Sequence, residues 1–298
     1  MRELVVAAGL ATVLMAASMA SNASADSKTD ATQNNDEFVK CYKEGEAKGI
    51  IRNNNISEAD FIEMCKNSVF PAYLEAVKSN PTLTFEQFVA SDNYEVPVQK
   101  PGDHPEEVSA EEVKSSKSGS PFTSFISAKK SYKMKAGDIL ICYGTGSSGS
   151  RLIGHAAMAT SANYIIEMSG KPHNASGDSW RKNNAHVKSK ATFFKEHTKG
   201  SDYVAVYRNN HPVYSDRAST YAYRHMYKED NPTYHITSTI FQKSPSYCSK
   251  YVVLAYYWGA TKKSWGDGAR HGIIPPHQLP SYFSDSFVPS YKYKVTSY

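Results

Sequence analysis

Four short apolar runs in the second half of the chain constrain the fold more than any other feature. They lie at 138–143 (DILICY), 155–160 (HAAMAT), 164–168 (YIIEM) and 203–207 (YVAVY). Each run has the length of a β-strand, and residues such as Gly, Ser and Asn interrupt the chain between them. The most apolar helical segment, 248–258 (CSKYVVLAYYW), comes later. Strands that follow one another, with helices before and after, favour an α+β fold with an antiparallel sheet over a parallel βαβ series.

The first third of the sequence predicts a small helical unit. One helix is expected at 37–48 and a second from Ser57, which opens a capping-box-like Ser-Glu-Ala-Asp sequence. Further helical segments are expected at 73–78 and 84–90. Cys41 and Cys65 lie symmetrically about residue 53, in a turn of three asparagines, so two antiparallel helices would bring them face to face. We therefore predict a disulfide between them, which an exported protein permits.

The N-terminus has the composition of an export signal. Arg2 precedes an uncharged apolar run from Leu4 to Ala20, and Ala23-Ser24-Ala25 fits a small-residue cleavage site. We predict a signal peptide over residues 1–25 and a secreted, cell-wall-associated product. A retained membrane anchor is the alternative, because the run is near the lower limit of about 17–25 residues for a membrane span. No further candidate span follows, so no integral span is predicted after cleavage.

Charge divides the mature sequence into two parts. Residues 26–120 carry 10 Lys and Arg against 18 Asp and Glu, whereas residues 121–298 carry 23 against 10. Residues 93–120 are rich in Pro, Glu, Ser, Lys and Gly, which is typical of a linker. We predict a helical domain at 26–92, this linker, and a second domain at 121–298. Outside a cell, a basic domain favours peptidoglycan or another anionic wall polymer over nucleic acid, although a basic surface that only aids solubility is the alternative.

Three residues of the basic domain are candidates for nucleophilic chemistry. Cys248 falls at the start of the apolar helix, where the helix dipole favours a reactive thiolate. His155 opens a strand of small and apolar residues and is suited to act as its base. Glu167 is the one charge within YIIEM and is suited to orient the imidazole. Each has an ordinary alternative: a buried structural cysteine, a histidine at a strand end, and a solvent-facing glutamate on an edge strand.

The predicted hairpin relates the histidine to the glutamate. With a three-residue loop at 160–162, Ala159 would face Asn163 and His155 would face Glu167. Directly opposed residues share one face of a sheet, with Cβ atoms about 4.5–5.5 Å apart. A slip of one residue would place the two side chains on opposite faces.

These residues lie within a series of motifs that resembles a known family. The motifs are KAGDIL (135–140), GHAAM (154–158), YIIEMSG (164–170), YCSKYV (247–252) and GIIPPHQL (272–279). In this order they resemble the circularly permuted NlpC-type peptidases of the papain superfamily, in which the histidine strand precedes the cysteine helix. The resemblance covers roughly residues 122–287 and includes nothing of the helical unit.

The resemblance implies a permuted papain-like domain in which Cys248 is the nucleophile, His155 the base and Glu167 the third polar residue. It implies a cysteine peptidase or amidase that cleaves amide bonds in peptidoglycan stem peptides, often next to γ-D-glutamate. A non-catalytic wall-binding protein is the second hypothesis, although the presence of all three residues speaks against it. Relatives that act on lipids make an acyltransferase or thioesterase the third.

Two other motifs do not support a cofactor. Residues 144–149 (GTGSSG) fit a dinucleotide-binding pattern, but that pattern requires a helix directly after the glycines, and the sequence beyond is short and strand-like. Closely spaced zinc-ligand pairs are missing from the sequence, so we predict neither a cofactor nor a metal. Other histidines lie in polar or Pro-rich stretches and are predicted to face solvent, among them His173, His186, His197, His211 and His277.

Overall fold

A seven-stranded sheet forms the centre of the protein. The computed structural model describes residues 34–52, 56–111, 130–144, 154–170, 182–266 and 273–298. The predicted signal peptide lies outside these residues, and none of the helices within them is long and apolar enough to cross a membrane. The strands are β1 (Glu106–Ser109), β2 (Ile139–Tyr143), β3 (His155–Ala159), β4 (Tyr164–Met168), β5 (Ala185–Ser189), β6 (Tyr203–Arg208) and β7 (Ser290–Ser297).

The sheet is antiparallel except at one edge. Its strand order is β1-β7-β6-β2-β3-β4-β5, and only the pairing of β1 with β7 is parallel. The four strands predicted from their apolar runs form the central block β6-β2-β3-β4. Antiparallel neighbours with helices packed against them confirm the predicted α+β class.

Seven α-helices surround this sheet in the described residues. They are α1 (Asn35–Ala47), α2 (Glu58–Met64), α3 (Phe70–Ser79), α4 (Phe85–Ser91), α5 (Lys190–His197), α6 (Pro212–Tyr221) and α7 (Cys248–Leu254). Wider π-helical turns continue α2, α6 and α7 at Cys65–Val69, Ala222–Glu229 and Ala255–Ala260. The side chain of Ser57 accepts a hydrogen bond from the Asp60 amide and thereby caps α2. Thr84 and Gln87 form a complete capping box at α4.

Two hydrophobic clusters lie on either side of the sheet. Alternate residues of β3 divide between them, because successive side chains on a strand point to opposite faces. Ala156 and Met158 pack with α7 and with the aromatic residues of α1 to α4, whereas Ala157 and Ala159 pack with α5. One continuous cluster therefore includes the helical unit and one face of the sheet, and α7 lies against β3 and β4.

Part of the segment predicted as a linker packs onto the sheet. Residues 106–109 are strand β1, and the backbone oxygen of Val98 accepts a hydrogen bond of 2.9 Å from the hydroxyl of Tyr207. The amine of Lys100 donates to the oxygen of Val288 at 2.8 Å. The rest of the predicted linker, residues 112–120, lies outside the described residues. The division into two domains stays a prediction.

The two cysteines of the helical unit are buried but not joined. Cys41 and Cys65 belong to the same core cluster, and both are free thiols in this structure. Burial raises the pKa of Cys41 to about 12 and raises that of Cys65 as well. The predicted disulfide is therefore not formed here, and neither thiol has the electrostatic surroundings of a nucleophile.

A buried ion pair holds the start of β2. Arg208 donates to both oxygens of Asp138, at 2.6 and 2.7 Å, and the hydroxyl of Tyr132 donates to the same carboxylate at 2.6 Å. The preceding residue, Gly137, has a φ of +80°, and a Cβ there would lie 2.5 Å from Ser215. The KAGDIL motif thus has a structural explanation, since it fixes the strand that pairs with β3.

Candidate functional site

Cys248 is the first residue of α7, as the sequence predicted. Its side chain is buried, with 1% of its surface exposed. The residues before and after Cys248 both form hydrogen bonds with the backbone of Ile274. The hydroxyl of Tyr247 accepts a hydrogen bond of 2.8 Å from the Ile274 amide, and the hydroxyl of Ser249 donates to the Ile274 oxygen at 2.5 Å. These bonds hold the beginning of the helix, and with it the thiol, against the 273–279 segment.

His155 and Glu167 are in direct contact. Nε2 of His155 lies 2.7 Å from Oε2 of Glu167, and both side chains are fully buried. The predicted register, however, is wrong by two residues. Glu167 is paired with Ala157, and Ala159 with Ile165, so His155 and Glu167 are diagonal neighbours.

The longer turn between β3 and β4 explains the difference. A shift of two residues leaves side chains on the same face of a sheet, whereas a shift of one would have separated them. The Glu167 side chain is long enough to cover the diagonal distance to the ring. The predicted contact is therefore made although the predicted pairing is not.

Two residues of the next strand hold the other oxygen of Glu167. Glu167 is paired with His186 across β4 and β5. Nε2 of His186 lies 2.9 Å from Oε1, and the amine of Lys188 lies 2.6 Å from the same oxygen. Lys188 also contacts the more exposed Glu196 at 2.5 Å. The glutamate is thus neither at an edge nor in solvent, since β5 covers β4.

These contacts determine the charge of the pair. Burial disfavours the charged form of Glu167, but His155, His186 and Lys188 together lower its pKa well below the ordinary value. Burial likewise lowers the pKa of His155, and the negative charge of Glu167 and the interaction with Cys248 outweigh it, raising that pKa to about 9. The carboxylate of Glu167 therefore favours the imidazolium form of the ring.

The imidazole has one nitrogen left for the thiol. Nε2 is occupied by Glu167, whereas Nδ1 is buried and forms no hydrogen bond of good geometry within the described residues. The interaction with Cys248 contributes to the raised pKa of His155, which indicates that the thiol is a neighbour of the ring. The structure thus brings the three predicted residues into one site.

Cys142 is a second thiol close to this site. It is paired directly with His155 across β2 and β3. Burial, followed by the negative charge of Glu167, raises the pKa of Cys142 well above the ordinary value. A protonated, buried thiol in mid-strand is a poor nucleophile, which agrees with the choice of Cys248 made from the sequence.

The sequence missed the residues that support this site. His197 was predicted to face solvent, but it is 6% exposed and its ring stacks on His155 with 5.5 Å between centroids. His277 was also predicted to face solvent and is fully buried. His186 and Lys188 were missed because β5 was not predicted. The alternation of AHVKS at 185–189, which places His186 and Lys188 on one face, was the available indication.

Stability should depend on the charge of this pair. The raised pKa of His155 stabilises the folded protein fully below about pH 6.5, and this stabilisation is lost as the pH rises towards 9. The change amounts to about 3 kcal/mol at most. We expect Glu167→Gln to reduce the fall in unfolding free energy between pH 6 and 9, measured by urea denaturation. A slope identical to that of the wild type would show that the carboxylate does not set the charge of the ring.

Comparison with known proteins places these residues in a family. Residues 107–298 match the family described as lipoprotein N-acylation protein LnsA-like. The chain belongs to this family. The matched region holds Cys248, His155 and Glu167, together with the whole sheet from β2 onward and most of β1. The resemblance to NlpC-type peptidases is thus one of motifs, and the LnsA-like family is the one to which the chain is assigned.

A curated relative extends the comparison without adding a function. An uncharacterized 30.3 kDa protein of Bacillus thuringiensis is 30% identical over 166 residues, which are 53% of this chain. The chain spans 57% of the length of that relative. No solved structure matches the LnsA-like chain significantly.

Proposed function

We propose that this LnsA-like protein is an acyltransferase that moves a fatty acyl group from a lipid ester, through a thioester on Cys248, to the amino group of a lipoprotein. The description of the family supports acylation of an amine. The observation that carries the proposal is the joining of Cys248, His155 and Glu167 in one buried site. Such a site is suited to nucleophilic acyl transfer.

The first half-reaction forms the thioester. As the Cys248 sulfur attacks the carbonyl carbon of the ester, the thiol proton passes to the His155 ring, and the resulting oxyanion is near the amide of Cys248 at the start of α7, where backbone N–H groups stabilise it. The carbon–oxygen bond then breaks. The His155 ring gives its proton to the departing alkoxide, so the lipid leaves as an alcohol and the acyl group remains on sulfur.

The second half-reaction transfers the acyl group to nitrogen. The amine of the acceptor attacks the thioester, a carbon–nitrogen bond forms and the carbon–sulfur bond breaks. His155, neutral after the first step, takes the proton of the attacking amine and passes it to the departing sulfur, so the neutral ring and the thiol are restored. Glu167 stabilises the imidazolium that forms in each half-reaction, because its carboxylate contacts Nε2.

The burial of the site favours an amine over water as acceptor. Cys248 and His155 are 1% and 2% exposed, and a thioester at this position is shielded from bulk water. Cleavage of stem-peptide amides, which the sequence motifs implied, uses the same three residues but requires water in the second step. The family assignment and the burial both favour transfer over hydrolysis, so we place the lipid acyltransferase first.

Mass spectrometry of the protein and its products tests the proposal. We incubate the protein with phosphatidylglycerol vesicles and expect Cys248 to gain the mass of one acyl chain, in a form that hydroxylamine removes. Adding a synthetic diacylglyceryl lipopeptide with a free α-amine should give the triacylated product and deplete the acyl-enzyme. Release of soluble peptides from purified peptidoglycan, with no acylation of Cys248 by lipid, would instead identify a wall hydrolase.

A further inference from the structure

A second buried histidine and two carboxylates join the helical unit to the sheet. Asp92 follows α4, Glu95 lies in the single helical turn Asn93–Glu95, and His277 comes from the segment that precedes β7. All three side chains are at most 2% exposed. Nδ1 of His277 lies 2.5 Å from Oε2 of Glu95 and 3.2 Å from Oδ2 of Asp92.

The polar atoms of this cluster make no hydrogen bonds of good geometry. Both oxygens of Asp92, both oxygens of Glu95 and both nitrogens of His277 are buried without such a bond within the described residues. Native proteins rarely leave buried polar atoms in this state, and a bound ion is one of the explanations when they do. The ligand atoms of Asp92, Glu95 and His277 all lie within 4.8 Å of one another, which is close enough for one ion to contact all three.

The cluster around Glu167 differs in this respect. His155, Glu167 and His197 also bring three possible ligand atoms within 4.8 Å of one another. There, however, the carboxylate accepts hydrogen bonds or ion pairs from His155, His186 and Lys188. Its oxygens are occupied by protein groups, and the positive charge of Lys188 opposes a cation.

We propose that Asp92, Glu95 and His277 bind a divalent cation of the zinc or manganese class. Two carboxylates and one imidazole are a donor set that these ions accept, and carboxylate and imidazole ligands lie about 2.0–2.2 Å from zinc. With both carboxylates ionised and the imidazole neutral, the three buried ligands carry two negative charges. A divalent ion balances both charges.

The backbone is shaped to present the two carboxylates together. Asn93, Tyr94 and Glu95 have φ values of 53°, 53° and 61°, which is the left-handed region for three successive residues with side chains. Such conformations are costly and persist where the surrounding structure requires them. Here they place Asp92 and Glu95 on the same side, next to His277.

The position of the cluster gives the ion a role in arranging the proposed acyl-transfer site. The ring of His277 stacks on Tyr143 with 4.2 Å between centroids, and a Cβ on Gly154 would lie 2.2 Å from its Nε2. Gly154 directly precedes His155. Ile274, three residues before His277, bonds the two neighbours of Cys248. A cation would therefore fix a segment that contacts both the residue before His155 and the neighbours of Cys248. This role rests on the proposed function, whereas the metal site itself does not.

Metal analysis of the purified chain tests the proposal. The protein is dialysed against a chelator, reloaded with Zn²⁺ or Mn²⁺ and passed through a desalting column. We expect about one ion per chain by inductively coupled plasma mass spectrometry. The midpoint temperature of thermal unfolding should rise when the metal is loaded and fall when it is chelated. X-ray absorption spectroscopy at the zinc edge should show only nitrogen and oxygen ligands around the ion, since a sulfur ligand would place the ion at a cysteine.

Matched variants assign the ion to its residues. The double variant Asp92→Asn with Glu95→Gln keeps the side-chain volumes and should lose the bound ion. Glu167→Gln should retain it, which distinguishes this cluster from the one at His155, and Glu86→Gln on the exposed side of α4 should also retain it. Wild-type protein that binds no more ion than the double variant would overturn the proposal, whatever the result for acyl transfer.

Discussion

Replacing Cys248 by alanine should abolish acyl transfer while leaving the fold intact. The thioester cannot form without the sulfur, so the rate should fall by about 10⁴-fold or more, as it does when other enzymes lose their nucleophile. The thiol is small, so its loss should cost only on the order of 1 kcal/mol of stability. The measurement is the rate of lipopeptide triacylation, with circular dichroism to verify the fold.

A second buried thiol provides the matched control. Cys41→Ala removes a thiol of the same size from α1, in the core of the helical unit and outside the proposed site. It should lower the rate of triacylation only in proportion to any loss of folded protein. A Cys248→Ala protein that still acylates lipopeptide at the wild-type rate would show that the acyl group travels by another route.

The sequence was sufficient to predict the central strands and to single out three residues that lie near one another in the structure. An apolar run of strand length predicts each of the strands from β2 to β4. A segment of eleven residues with little polar content predicts α7. His155, Glu167 and Cys248 stand out because each is a polar or reactive group at the edge of, or inside, such a run. Local composition carries this information, so no knowledge of the tertiary structure was needed.

The supporting residues depend on contacts that local composition does not encode. Strand β5 is AHVKS, with alternating polar residues, and its own sequence gives no reason to expect that it covers β4. His277 lies in a Pro-rich segment that is typical of an exposed loop, yet carboxylates from a unit about 180 residues earlier bury it. The hairpin register failed for a related reason, since turn length is set by the pairing on both strands together.

The helical unit illustrates the same limit. Its acidic composition suggested an independent domain, but Asp92 at its end and Glu95 just beyond it are buried against His277. The charge contrast between the two halves of the sequence thus counts residues that never reach the surface. Composition can locate a unit, but it cannot show which of its charges form the contact with the rest of the protein.

Glu167→Gln should lower acyl transfer by about 10²- to 10⁴-fold, the range associated with a positioned proton-transfer group. The amide keeps the shape of the side chain but not its negative charge, so the imidazolium of His155 loses the partner 2.7 Å away that raises its pKa. The initial rate of triacylation should show this loss across pH 6–9. Glu196→Gln is the matched control, because Glu196 shares Lys188 with Glu167 and, within the described part of the chain, makes no ion pair with His155. If the two variants lose the same activity, the effect arises from Lys188 and the surface of β5, and Glu167 has no special role in holding the proton.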